Sequence, residues 1–323
     1  MFEPAIIVHG GFGKFPSESN LKKPLMEGTK AAAREGHAIL ARGGSAIDAV
    51  EAAVTSMEDN PLFNCGYGCT LNLNGNAQMD AIVIDGQTLN SGAVCGALGC
   101  PNPVQVARLV MEKTNHCLLS GDGVQQFMRS HGIEVVPDSQ LILPERFQEW
   151  EQYVKLREEF VNGCGDSQRI ASGLPPGCDT VGAVAMDASG NIAAATSTGG
   201  RTGKLPGRVG DAPIVGAGSY ADSNVGGVST TGFGESAMKV CLARRIAELL
   251  EKGVPAQESA ARVLRFMHEK VGGEAGVIVL AKDGNRCHVT RHFISPNMTW
   301  AAINDGRITW GIDQGQEESA SLE

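Results

Sequence analysis

The stretch Gly177-Cys178-Asp179-Thr180-Val181-Gly182-Ala183-Val184 joins two segments of opposite character. Before it, residues 162–177 (NGCGDSQRIASGLPPG) show no hydrophobic period and several breakers, which predicts a flexible, exposed segment. After it, Thr180 to Met186 is small, apolar and β-branched, Asp187-Ala188-Ser189-Gly190 turns the chain, and Asn191 to Thr196 returns. That pattern predicts a hairpin of buried strands. A cut between Asp179 and Thr180 would leave a hydroxyl and a free α-amino group on one residue. Such an amine titrates near ~8, so a useful fraction is neutral at cellular pH. It can then serve as base for its own hydroxyl, which activates an otherwise weak nucleophile. The β-branch restricts the rotamer and helps to aim the oxygen. On this segment alone, a threonine that merely opens a strand fits better, because β-branched residues favour strands.

Outward toward the N-terminus, Ala5 to His9 reads as a strand, and Pro24 to Leu40 as a helix stopped at Arg42-Gly43-Gly44. Ser45 reads as the cap of a second helix, with Asp48 in the capping-box position and Ile47, Val50, Val54 and Met57 at helical spacing. Glu58 to Gly68 (EDNPLFNCGYG) is turn-rich. Strands are expected at Gln78 to Ile84 and Ser91 to Val94, helices at Val104 to Lys113 and Gly123 to Ser130, and a charged helix at Glu145 to Phe160. The composition shift that contains this last helix defines a flexible linker over residues 143–179. Toward the C-terminus, glycine-rich loops run from Ser197 to Gly234, then helices at Glu235 to Leu250 and Ala256 to Lys270. Strands close the chain at Gly276 to Ala281, Cys287 to His292 and around Asn304-Asp305-Gly306. Pattern alone gives a layered α+β or α/β fold with sheets covered by helices.

Composition bounds the function. Glycine supplies 42 of 323 residues, about twice the usual ~7%, without a G-X-Y period, so tight turns and close backbone approaches are expected rather than collagen. The formal charge of −9 argues against a nucleic-acid or anionic-membrane surface. No run of 18 apolar residues is found, and the N-terminal segment reads as a strand rather than a signal peptide. Nine scattered cysteines without a C-x-x-C pair suit a reducing, cytoplasmic setting. Gly10-Gly11-Phe12-Gly13-Lys14-Phe15 lacks the spacing of a phosphate loop. None of the seven histidines forms H-x-x-x-H, and no G-x-S-x-G elbow is found. His9, beside the first glycine loop, reads as a strand-end hydrogen-bonding residue.

Several further segments change the reading of Thr180. They are His9-Gly10-Gly11, Phe63-Asn64-Cys65-Gly66, Met79-Asp80-Ala81, Asp179 to Val184, Ala195 to Gly200, Gly207 to Asp211, Gly216-Ala217-Gly218 and Thr230-Thr231-Gly232. Together, in this order, they resemble the plant-type L-asparaginases and isoaspartyl peptidases of the N-terminal-nucleophile hydrolases. The likeness runs from Ile6 to Ile312. It implies an α+β fold, a single four-layer αββα sandwich, made as a precursor that cleaves itself into an α subunit (1–179) and a β subunit (180–323). It implies Thr180 as nucleophile and Asp179–Thr180 as the cleavage site. Thr198 would orient the nucleophile, and Thr231 and Gly232 would form the oxyanion hole. Asn64 would help to bind and polarise the reacting group. Arg208 and Asp211 would grip the substrate's α-carboxylate and α-ammonium, with the Gly234 backbone near the ammonium; an exposed ion pair is the plainer reading of those two charges.

The resemblance also implies a structural sodium ion held by the carbonyls of Met57, Glu58, Asn60, Phe63, Cys65 and Tyr67, where an ordered loop without metal is the plain alternative. No cofactor for catalysis is implied. The expected substrates are L-asparagine and β-aspartyl dipeptides, and the expected assembly is an (αβ)2 homo-oligomer without nucleic-acid or membrane partners. One departure is Asp179, where the small asparaginases usually carry glycine. Asp-Thr occurs in glycosylasparaginases and threonine aspartases, so a glycosylasparaginase-like activity stays open, as does an uncleaved member that only binds amino acids.

Overall fold

The structure, a computed structural model, describes residues 2–13, 20–161, 180–284, 286–294 and 297–322. In chain order the strands are β1 (Ala5–Gly13), β2 (Gln78–Asp85), β3 (Ser91–Leu98), β4 (Leu118–Ser120), β5 (Val181–Met186), β6 (Ile192–Thr198), β7 (Ser219–Asp222), β8 (Gly226–Gly232), β9 (Ala275–Asp283), β10 (Arg286–Phe293), β11 (Asn297–Asn304), β12 (Arg307–Asp313) and β13 (Glu318–Ser321). The helices are α1 (Lys22–Ala41), α2 (Ala46–Glu58), α3 (Pro103–Lys113), α4 (Asp122–Ser130), α5 (Asp138–Leu141), α6 (Pro144–Val161), α7 (Gly234–Val240), α8 (Leu242–Glu251) and α9 (Ala256–Val271). The described strands form a nine-stranded sheet, ordered β13-β12-β11-β1-β5-β6-β2-β3-β4, and a four-stranded sheet, ordered β10-β9-β8-β7. The fold is therefore a mixed α and β architecture.

Side-chain alternation explains how the sheets are used. Along a strand, successive residues face opposite sides. In β5, Val181, Ala183 and Ala185 pack with Ala49, Val50 and Ala53 of α2, while Val184 and Met186 pack with Ile278 and Leu280 of β9. In β8, Val228 packs with Ile246 of α8 and Leu264 of α9. Residues of the other phase of β8 face the larger sheet: a Cβ on Gly227 would lie 2.5 Å from the Val184 side chain. Many of the strand residues in this gap are alanine or glycine, which brings the two sheets close together.

Most expected elements lie where the pattern put them. Ser45 Oγ accepts the Asp48 N–H and caps α2 as expected. Three differences stand out. The loops expected over Ser197 to Gly234 contain β7 and β8, because a Gly-Gly-Val-Ser-Thr-Thr-Gly run carries too little apolar contrast to read as a strand. The single helix expected from Glu235 to Leu250 breaks at Cys241, whose φ is 50°. There the Ala243 and Arg244 N–H groups donate to the carbonyls of Ala217 and Gly216, so the helix starts afresh on that loop. Within the expected linker 143–179, the first half is the ordered helix α6, with Trp150 packed beside a core cluster that includes Leu71 and Met79. Residues 162–179, including Asp179, lie outside the described residues.

Candidate active site

Thr180 stands just ahead of β5 and is buried. The β5–β6 register pairs Val181 with Ser197, and one step outward it sets Thr180 opposite Thr198. Both follow the phase of Val184 and Ala194, so they face the gap between the sheets. Thr231, in the phase of β8 opposite to Val228, faces the same gap from the smaller sheet. Thus one end of the gap collects three threonines, two from one sheet and one from the other.

Thr198 and Thr231 are each held by a main-chain N–H. The Gly200 N–H donates to Thr198 Oγ1 at 2.9 Å. With that acceptor position filled, the Thr198 proton is left to be donated elsewhere. Phe12 N–H donates to Thr231 Oγ1 at 3.3 Å, tying the end of β1 to β8. Gly232 has φ 132°, and a Cβ there would sit 2.6 Å from Ala275 Cα, so the chain turns out of β8 at a position only glycine fills without strain. Asn64 is buried and acts on the loop after Thr198. Its Nδ2 donates to Gly200 O at 2.7 Å, and its Oδ1 accepts the Thr70 N–H at 2.8 Å. Asn64 therefore reaches Thr198 through Gly200.

Arg208 is half-buried and Asp211 buried, and each has its own partner. Arg208 Nε and Nη2 donate to the two carboxylate oxygens of Glu235, each at 2.9 Å. Asp211 is buried, and Oδ2 accepts the Thr230 hydroxyl at 2.7 Å. Burial raises its pKa to about 6, against the opposing pull of Thr230 and Arg208. A Cβ on Gly234 would lie 2.8 Å from Asp211 Oδ1 and 3.0 Å from Arg208 Nη2. The bare Gly234 backbone therefore packs against both charges.

The turn-rich loop is tightly wound. A Cβ on Gly66 would be 2.1 Å from Glu58 O, and one on Gly68 2.1 Å from Phe63 O. Carbonyl oxygens thus crowd onto positions with no side chain. The Glu58 carboxyl is buried beside them. Its Oε1 accepts the Val104 N–H at 3.0 Å and the Ser197 hydroxyl at 2.6 Å, while Oε2 has no hydrogen-bond partner among the described residues. Burial pushes its pKa up to about 8. Among the described residues, no group of three or more His, Cys, Asp or Glu is arranged to hold a metal ion, so a cation in this loop would rest mainly on carbonyls.

The sequence reading missed Glu235, whose only signal was its place directly after Gly234. It also missed Lys204, a lone lysine in a glycine-rich stretch. Lys204 is buried and donates to Gln78 O at 2.6 Å, and burial lowers its pKa. A Cβ on Gly200 would lie 3.0 Å from its Nζ and 3.2 Å from Arg208 Nη1, so the turn after Thr198 rests against both cations.

Residues 2–312 match the model of a protein family described as asparaginase. A Xenopus laevis protein named isoaspartyl peptidase/L-asparaginase is 44% identical over 99% of this chain and 99% of its own length. Proteins of the same name from Mus musculus and Homo sapiens are 46% and 43% identical; they cover 98% and 96% of this chain, over 93% and 96% of their own lengths. With a match of this extent, joined to three threonines in one gap and a half-buried Arg208 and a buried Asp211 that both lie against Gly234, the chain belongs to the asparaginase family.

Proposed function

We propose that this protein is an autoprocessing threonine amidohydrolase that converts L-asparagine to L-aspartate and ammonia and cleaves β-aspartyl dipeptides. The observation that carries this reading is the meeting of Thr180 and Thr198 with Thr231 across the gap, next to Arg208, Asp211 and Gly234. The relatives' printed names support the two substrate classes. The Arg208 guanidinium would take the substrate α-carboxylate on the edge that Glu235 leaves open. Asp211 would take the α-ammonium, which sets the β-carbonyl toward Thr180.

After cleavage the Thr180 amine removes the proton from its own hydroxyl, and Oγ1 attacks the β-carbonyl carbon. Thr198 donates to the nucleophilic oxygen and fixes its direction. Negative charge develops on the carbonyl oxygen, where Thr231 and Gly232 donate to it; one such donor is worth about 3 kcal/mol in related acyl transfers. The C–N bond breaks, the amine leaves with the proton, and water opens the β-aspartyl ester on Thr180. Self-cleavage uses the same hydroxyl against the Asp179 carbonyl, giving an ester that water opens into chains 1–179 and 180–323.

The reading carries a four-layer αββα sandwich in which both subunits share one core, an (αβ)2 assembly and a cytoplasmic location. The strand phases that alternate between α2 and β9 support the layering. No helix among the described residues is long and apolar enough to cross a membrane. A structural sodium ion would sit on the carbonyls of Met57, Glu58, Asn60, Phe63, Cys65 and Tyr67; the crowding at Gly66 and Gly68 and the unpartnered Glu58 Oε2 fit it. Its chemistry would be to fix the loop that carries Asn64. The function is tested by assaying processed protein with L-asparagine, a β-aspartyl dipeptide and a glycosylated asparagine. Turnover of the first two supports it, and inactivity toward both defeats it.

A further inference from the structure

Each gap-facing threonine has a residue of the same face two positions deeper. These are Gly182 behind Thr180, Thr196 behind Thr198 and Ser229 behind Thr231. The β1–β5 register sets His9 against Gly182. His9 Nε2 and Ser229 Oγ are hydrogen-bonded at 2.9 Å, and Ser229 Oγ and Thr196 Oγ1 at 2.7 Å. Thr196 Oγ1 also meets Ser219 Oγ and donates to Gly218 O at 3.3 Å. His9, Thr196, Ser219 and Ser229 are all 0% exposed. The main chain of Thr180 also lies against the His9 ring, whose Nδ1 has no hydrogen-bond partner among the described residues. The network therefore spans both sheets, from β1 and β6 on one side to β7 and β8 on the other.

This layer is out of character with its surroundings. Deeper in the gap the contacts are apolar, between residues such as Ile7, Val184, Ile278 and Leu280. Buried polar groups cost stability unless bonded, so bulk cohesion does not call for them here. Gly182 makes room for the network, since a Cβ there would sit 2.0 Å from Ser229 Oγ and 2.6 Å from His9 Nε2. Burial lowers the His9 pKa to about 3, so the ring stays neutral at cellular pH and is poorly suited to be the base.

We propose that His9 is a positioning residue: through Ser229 and Thr196 it fixes the spacing of the two sheets where Thr180 meets Thr231 and Gly232. Hydrogen bonds are directional and define a separation that sliding apolar contacts do not. The inference rests on the assignment of Thr180 as nucleophile and of Thr231 and Gly232 as oxyanion donors. A small change in that spacing lowers the rate of the chemical step and leaves the grip of Arg208 and Asp211 in place.

The test compares wild type, His9→Asn, Ser229→Ala and the double variant, each checked for folding by circular dichroism and thermal melting. Self-cleavage rate, kcat and KM for L-asparagine are measured on each. In the expected result, each single variant loses about tenfold or more in kcat and in self-cleavage rate, with KM within about twofold. The double variant is little worse than either single one, because one network is broken once. Ser229→Ala keeps the histidine and removes one oxygen, so it stays informative if His9→Asn fails to fold. Folded variants with wild-type kcat and self-cleavage rate overturn the positioning role. A folded wild type that is itself inactive and uncleaved overturns the functional reading, and the positioning role falls with it.

Discussion

Glu235 holds one edge of the Arg208 guanidinium, with Nε and Nη2 each 2.9 Å from a carboxylate oxygen. The fork that would receive a substrate carboxylate is thus aimed before substrate arrives. Glu235 is part exposed, so solvent screening keeps the pair modest. Glu235→Gln should raise KM for L-asparagine about fivefold, corresponding to about 1 kcal/mol. It should leave self-cleavage untouched, as shown by band pattern on a denaturing gel. An unchanged KM would show that Arg208 needs no such support.

Arg208→Lys keeps the charge and loses the planar fork. KM should rise by about tenfold or more, while the precursor is processed normally. Steady-state kinetics on the processed protein check it. A KM equal to wild type would remove Arg208 from substrate binding.

Asp211 should make amino-acid binding sensitive to acid. Its pKa is raised to about 6. Only the ionised carboxylate holds an ammonium, so a proton competes with the ligand. Affinity for L-aspartate, followed by calorimetry, should be level above pH ~7 and fall about tenfold per unit well below pH ~6. Asp211→Asn should bind weakly at every pH. A wild-type affinity that stays flat from pH 7 to 5 would contradict the assignment.

Glu58 should make stability depend on pH. Its pKa is about 8 in the fold against an ordinary 4.5, so the folded chain binds more protons between those values. Stability from this group therefore declines as pH rises through that window. Glu58→Gln should flatten the decline, read as urea midpoints at pH 5 and 8.5. A sodium ion in the adjoining loop favours the ionised form, so sodium chloride should reduce the decline relative to choline chloride at equal ionic strength. Identical midpoints in the two salts would remove the ion from the account.

The sequence was legible where it carried contrast. Ser45 with Asp48, the Asp187 to Gly190 turn and the hairpin from Thr180 to Thr196 announce themselves through caps, turns and period. The site assignments for Thr180, Thr198, Thr231, Arg208, Asp211 and Gly234 come from the resemblance, through short motifs in a fixed order, and no local period or cap points to them. β8 was not legible, since its glycines and hydroxyls look like a loop until the larger sheet and α8 cover it. Glu235 and His9 were not legible as partners for a different reason. Each meets its partner across a long loop closure, Arg208 in one case and Ser229 in the other, and no local spacing encodes such a meeting. The break at Cys241 depends likewise on carbonyls of a distant turn.

The central claim is that Thr180 becomes an N-terminal nucleophile by its own action. Purified precursor incubated alone, followed by N-terminal sequencing of the smaller fragment, tests it most directly. The chain of about 34 kDa should give pieces of about 19 and 15 kDa that stay together without denaturant. The smaller piece should begin Thr180-Val181-Gly182. Thr180→Ala should remain a single inactive band, since one hydroxyl serves both steps. A fragment starting at any other residue, or an active precursor that never cleaves, would contradict it.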